Sequence, residues 1–344
     1  MFFKSEKYFL VADVGGTKTA LAIIDIEKNI LFKKLYLSHE IKHFTDTLID
    51  FLQMPECKKY KIKSTCIAVA GPINAERNYA RLTNLDWTID TNSILVRTQL
   101  HKVLLINDFE AIGFSIRTLK NDEYVELTNL GRNSSGTTAI IGAGTGLGIC
   151  ILPYTNYTDF KSHEQIKIPM SSEGGHIDLP ININDKMDVK LQSYLIQKKL
   201  YKDAEDVVSG RGIINIYKFL LTQKVKHNNK IKLEISKAHD EEKPALITKY
   251  ALEDKDVLCI RTLELFIKYY AKITKNLALT TLCSELILAG GIAPKIVSAL
   301  QDLFVDEFVQ HDLENMRKIL ERIPIIVITN QDISLYGALN ALKT

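Results

Sequence analysis

Phe9 to Asp25, FLVADVGGTKTALAIID, reads as two apolar strands joined by a glycine turn, and the layout returns at Thr137–Leu152, TTAIIGAGTGLGICIL. A third glycine turn, in LILAGGIAPK, follows a strand at Glu285–Ala289 and leads into a helical pattern. Two similar hairpins this far apart imply a duplicated fold with a cleft between its halves. Length agrees: 344 residues exceed a single average domain of roughly 100–200 residues, and 46% hydrophobic residues can fill two cores.

Strand-like runs lie at Tyr8–Val14, Thr19–Ile24, Lys61–Ala70, Val103–Ile106, Thr138–Gly142, Leu147–Leu152, Glu285–Ala289 and Ile325–Ile328. Helical spacing marks Thr45–Met54, Ser93–Gln99, Phe109–Leu119, Val189–Gln197, Gly212–Thr222, Asp254–Leu282, Lys295–Phe308 and Leu335–Leu342. The mixture makes the chain α/β. Lys224–Lys243 reads as a solvated connection and Tyr154–Lys167 as a polar insertion.

A formal charge of +3, with scattered basic residues, points away from a nucleic-acid partner. Five dispersed cysteines, without a CxxC pair, indicate neither a zinc site nor a disulfide framework and fit a reducing cytosol. The opening residues carry no signal-peptide pattern, since Asp13 interrupts the first apolar run, and no apolar stretch has the ~20 residues of a membrane span.

A tight hairpin turn needs positive φ at one or two positions, which suits glycine, and exposed turn amides form an anion site. Gly15, Gly16 and Thr17 could hold a phosphate in this way. Asp13 beside it then calls for an intervening cation, and Mg²⁺ binds through few carboxylates together with phosphates. An ordinary hairpin with a surface aspartate is the other reading. The second turn is followed by a strand where a dinucleotide fingerprint needs a helix, and the chain contains no GxxxxGK[ST].

VLLINDFEAIGFSI ends a strand at Asn107-Asp108 and starts a helical pattern. Both residues are favoured helix caps. The carboxyl ends of parallel strands are also where α/β proteins bind ligands, and an aspartate there can accept a substrate hydroxyl proton. SSEGGHIDLP places Glu173 and His176 around two glycines, a donor and acceptor set for a polyhydroxylated ligand; DAEDVVSGRG places Glu205 in a helix-like stretch.

These segments together resemble bacterial glucokinases, ATP-dependent hexose kinases of the actin, Hsp70 and hexokinase superfamily. The resemblance rests on ADVGGT, IAVAGPI, TNLDW, INDFEA, GAGTGLG, EGGHID, AEDVVSG and LAGGI, in order along nearly the whole chain. Lys18 departs from the asparagine common in close relatives. IDLPININDKMDV lacks the cysteines of the zinc-bearing repressor and kinase relatives, and no segment corresponds to the helix-turn-helix of the regulators.

The resemblance implies a two-domain actin-like (ribonuclease H-like) fold, with mixed sheets and flanking helices, divided as 1–116 plus 330–344 and 117–329. It implies phosphorylation of the 6-hydroxyl of glucose by ATP and Mg²⁺, in a cytoplasmic homodimer. Asp108 takes the place of the general base. Asn107, Glu173, His176 and Glu205 bind the other sugar hydroxyls. Ala12, Asp13, Val14, Gly15, Gly16, Thr17, Gly144, Thr145 and Gly146 surround the phosphates, Gly290 and Gly291 the nucleoside, and Asp13 the metal. Kinases of other hexoses or N-acetylhexosamines, and a non-catalytic sugar-responsive regulator, are the rival readings.

Overall fold

The computed structural model describes residues 6–82, 85–155, 168–200 and 203–344. Thr83 and Asn84 of the TNLDW motif, the start of the chain and most of the polar insertion at 154–167 lie outside the described residues. The chain forms two compact units. The first takes the described residues of Met1–Asn121, Ile168–Ser171 and Asn330–Thr344; the second takes those of Asp122–Lys167 and Ser172–Thr329.

In the first unit the strands are β1 (Tyr8–Val14), β2 (Lys18–Asp25), β3 (Ile30–Leu37), β4 (Ser64–Val69), β5 (Tyr79–Arg81), β6 (Thr88–Asp90) and β7 (Lys102–Asn107). The main sheet has the order β3-β2-β1-β4-β7. β1 runs antiparallel to β2 and parallel to β4, which is parallel to β7. Alternate residues of β1 feed two cores. Leu10, Ala12 and Val14 pack with Phe44, Leu48 and Phe51. Phe9 and Val11 pack with Leu335, Ala338 and Leu339 of the helix Ile333–Lys343. A strand covered on both faces reads as a nearly continuous apolar run.

The second unit repeats this pattern with β8 (Tyr124–Glu126), β9 (Thr138–Ala143), β10 (Leu147–Leu152), β12 (Glu285–Ala289) and β13 (Ile325–Ile328); β11 (Met170–Ser172) spans the division between the units. Five strands lie in the order β10-β9-β12-β13-β8. As in the first unit, the central strand is antiparallel to its hairpin partner and parallel to the next strand, with another parallel strand beyond. The 25-residue helix Val257–Thr281 supports the sheet: Tyr269 and Tyr270 are fully buried, and the Tyr270 hydroxyl donates to the Ile141 carbonyl at 3.2 Å.

Several expectations are corrected. Lys224–Lys243 is not simply a solvated connection. Asn229–Lys237 is helical, capped by Asn228 and anchored by Ile235, and Lys243 starts a further helix, Lys243–Leu252. Two apolar anchors one turn apart, Ile231 and Ile235, give only a weak periodic signal in a lysine-rich stretch. Edge strand β3 and the helix Glu314–Leu320 lie outside the expected runs; the exposed lysines that break the pattern of β3 suit an unpaired edge. Glu205 stands in a short 3-10 turn, Ala204–Asp206, and not in a longer helix. Among the described residues no helix is long and apolar enough to cross a membrane, and all five cysteines are free and buried.

Candidate active site

The first unit brings two predicted carboxylates to one sheet edge. Register pairs Asp13 of β1 with Ala68 of β4, while Val69 at the end of β4 pairs with Asn107 of β7. All three strands are parallel, so Asp13 and the Asn107-Asp108 junction lie at their carboxyl ends, two strands apart. That spacing is roughly 10 Å at about 4.8 Å per strand.

Asp13 is partly accessible as a residue, yet its carboxyl lies inward. Burial pushes its pKa up to about 6; the Ser334 hydroxyl hydrogen bond opposes this, Asp332 adds repulsion and Lys33 counters it. Ser334 stands in the first turn of the helix Ile333–Lys343, and Asp332 at its start pairs with Lys33 of β3. Lys33, Asp332 and Ser334 carry no motif of their own, so the sequence does not signal them.

At the second carboxylate, Asn107 caps the helix Asp108–Ser115. Its Oδ1 accepts from the Phe109 N–H at 2.9 Å and the Glu110 N–H at 3.4 Å, while Glu110 Oε2 accepts from the Asn107 N–H at 3.1 Å. Asp108 is the first helical residue, and its Oδ1 accepts from the Phe109 N–H at 3.0 Å. The positive end of the helix dipole favours a charged carboxylate there. The cap uses the Asn107 carbonyl and leaves its amide group for other partners. The spacing N-x-x-E of a capping box was a readable signal for Glu110.

The second unit gathers the remaining candidates. Gly144, Thr145 and Gly146 link β9 to β10, as Gly15, Gly16 and Thr17 link β1 to β2. Neither turn uses positive φ; among the described glycines that conformation occurs at Gly71, Gly131 and Gly290. The expected reason for the hairpin glycines is therefore corrected. At Gly146 a Cβ would come 2.5 Å from Glu205 Oε2, so the carboxylate of that side chain would have to shift. Each turn also closes on itself. The Gly15 N–H donates to the Lys18 carbonyl at 2.9 Å and the Gly144 N–H to the Gly146 carbonyl at 2.8 Å, so these two amides are already engaged.

Glu205 reaches the second turn directly: Oε2 accepts from the Leu147 N–H at 2.9 Å and Oε1 from Arg211 at 3.1 Å. Arg211 also approaches Asp206 Oδ1 at 3.3 Å. Nearby, His176 Nδ1 lies 2.9 Å from Asp203 Oδ2. That hydrogen bond holds the His176 imidazole above the usual histidine range; burial opposes it, and the negative charges of Glu205, Asp203 and Glu173 assist it. Because the folded pKa is raised, the pair's contribution to stability is full below the ordinary histidine pKa and is lost as pH rises through the raised value. Asp203→Asn should lower the His176 pKa, read by NMR titration of its ring protons. An unchanged pKa would show that Asp203 is not the cause.

Gly290 and Gly291 follow β12 and pack beside the same turn. Gly290 has φ +81°, and a Cβ there would lie 2.5 Å from the Ala143 carbonyl oxygen. The Ile292 N–H donates to that oxygen at 3.2 Å. Gly290→Ala should destabilise the fold by about 2 kcal/mol or more, adding backbone strain to a clash with main chain. Calorimetry should record a thermal midpoint several degrees lower; an unchanged midpoint would contradict this packing.

Among the described residues no cluster of three or more histidine, cysteine, aspartate or glutamate side chains forms a metal cage. The oxygen donors of Asp13 and Ser334 fit a hard ion that keeps most of its water.

The family model described as glucokinase matches residues 10–344. A glucokinase of Nostoc punctiforme is 36% identical over 354 residues, covering 96% of this chain and 97% of its own. The crystal structure of a glucokinase from an Antarctic psychrotroph superposes with a TM-score of 0.76 at 27% identity, covering 98% of this chain and 99% of that one. A glucokinase from Balamuthia mandrillaris, solved in complex with glucose, shares the fold with a TM-score of 0.79 at 21% identity, covering 99% and 96%.

Proposed function

This chain belongs to the glucokinase family, which makes it an ATP-dependent sugar kinase of actin-like fold, and from that premise we propose how its own residues carry the γ-phosphoryl group to the 6-hydroxyl of glucose. The observation that carries the reading is the placement of Asp13 and Asp108 at the carboxyl edge of one parallel set of strands. One carboxylate serves the metal–phosphate end of the reaction and the other the sugar hydroxyl.

Asp108 accepts the 6-hydroxyl proton as O6 bonds to the γ-phosphorus; the bond from that phosphorus to the β,γ-bridging oxygen breaks, and ADP leaves with the electron pair. The transition state of such transfers is loose, so positioning and charge neutralisation dominate, and a base of modest strength suffices when the proton leaves late. The Asn107 cap fixes the start of the helix that bears Asp108. Asn107, Glu173, His176 and Glu205 bind the other hydroxyls. The amides around Gly16 and Gly146 serve the phosphates, with Thr17 and Thr145 beside them, and the Gly290-Gly291 turn serves the nucleoside. Mg²⁺ held near Asp13 neutralises phosphate charge when bound.

A coupled assay with glucose, ATP and Mg²⁺ tests the reading. Glucose-dependent ADP release, with glucose 6-phosphate as product, is expected. Sugar-independent ATP hydrolysis, or none, would overturn it. The five free, buried cysteines support a cytosolic location. A homodimer, the state implied by the resemblance, is checked by sedimentation.

A further inference from the structure

We infer that Arg77 is a positioning residue for Asp108, acting through the buried carboxylate of Glu110; the inference rests on the assignment of Asp108 as the base. Arg77 has φ +53°, a left-handed conformation uncommon outside glycine and asparagine. Its turn holds it there. The Arg77 N–H donates to the Asn74 carbonyl at 2.9 Å, and Asn74 Oδ1 accepts from the N–H groups of Asn78 at 3.0 Å and Tyr79 at 2.9 Å. From this turn the guanidinium grips Glu110 with two hydrogen bonds, Nη1 to Oε2 at 2.9 Å and Nη2 to Oε1 at 2.7 Å. Glu110 is 3% exposed. The same Oε2 accepts the Asn107 N–H at 3.1 Å, one residue before Asp108.

A capping box does not need a charge, because glutamine in this helical position closes it as well. A buried carboxylate is unfavourable unless paired, and here its partner comes from 33 residues earlier, on a turn in an uncommon backbone conformation. The planar fork fixes the orientation of the carboxylate as a single contact does not. Through the Asn107 N–H it therefore fixes the Ile106–Asn107 peptide, one residue before Asp108. The guanidinium also offsets the charge of Glu110, which shares the first helical turn with Asp108.

Steady-state kinetics of variants, normalised to folded protein by circular dichroism and thermal unfolding, test the inference. Arg77→Gln should lower kcat about tenfold or more, within the ~10²-fold that a 1 Å misplacement can cost, while both KM values move less than about twofold. Arg77→Lys, which keeps the charge but not the fork, should recover part of that loss. Glu110→Gln, which keeps an acceptor for the cap, should reproduce it. In an Asp108→Asn background Arg77→Gln should cost little more. If Arg77→Gln and Glu110→Gln both turn over like the parent chain, with losses confined to thermal stability, the pair is only a brace and the inference fails. The two levels stay separable: an active Asp108→Asn overturns the base itself, whereas an inactive Asp108→Asn beside a fully active Arg77→Gln overturns only the positioning role.

Discussion

Asp108→Asn should lower kcat by at least ~10²-fold, the low end for loss of a general base, while glucose binding stays within a few-fold of the parent chain. The substitution is nearly isosteric. The amide oxygen can still accept the Phe109 N–H that Asp108 Oδ1 accepts at 3.0 Å, and the Asn107 cap does not depend on the lost charge. Folding is therefore expected to persist, and the loss should fall on the step where the hydroxyl proton departs. Steady-state kinetics with a parallel measurement of glucose affinity check this; near-parental turnover would remove Asp108 from the base role.

Glu205→Ala should raise the KM for glucose by about 10–100-fold, as expected for losing a hydrogen bond to a charged group worth roughly 1.5–3 kcal/mol. The KM for ATP should change much less. Glu205 also accepts from the Leu147 N–H and from Arg211, so the alanine variant also frees one amide of the glycine turn. Glu205→Gln keeps an acceptor for that amide and separates the two effects: it should retain most of the ATP affinity and lose much of the glucose affinity. Equal changes in both KM values would argue that Glu205 serves the turn and not the sugar.

The apolar framework was legible because its strands are buried on both faces. β1, β4, β9, β12 and β13 lie close to where their hydrophobic runs put them. What the sequence concealed was structure with little periodicity: the lysine-bearing edge strand β3, and the short helix Asn229–Lys237, which turns only Ile231 and Ile235 toward the core. At the site, the residues carried by motifs could be named, since glycine turns and strand-end carboxylates have recognisable neighbours. Their supports could not. Arg77 meets Glu110, Lys33 and Asp332 flank Asp13, and Asp203 meets His176 only after folding. Motif logic also assigned the wrong cause to the hairpin glycines. The positive φ falls at Gly290 instead, and what lies beside Gly146 is the Glu205 carboxylate.

A crystal structure of this chain with glucose bound tests the central claim most directly. The account predicts the sugar O6 within hydrogen-bond reach of an Asp108 carboxylate oxygen, about 2.6–3.2 Å. A bound glucose whose O6 faces another group, with the Asp108 carboxylate turned away from the sugar, would contradict it.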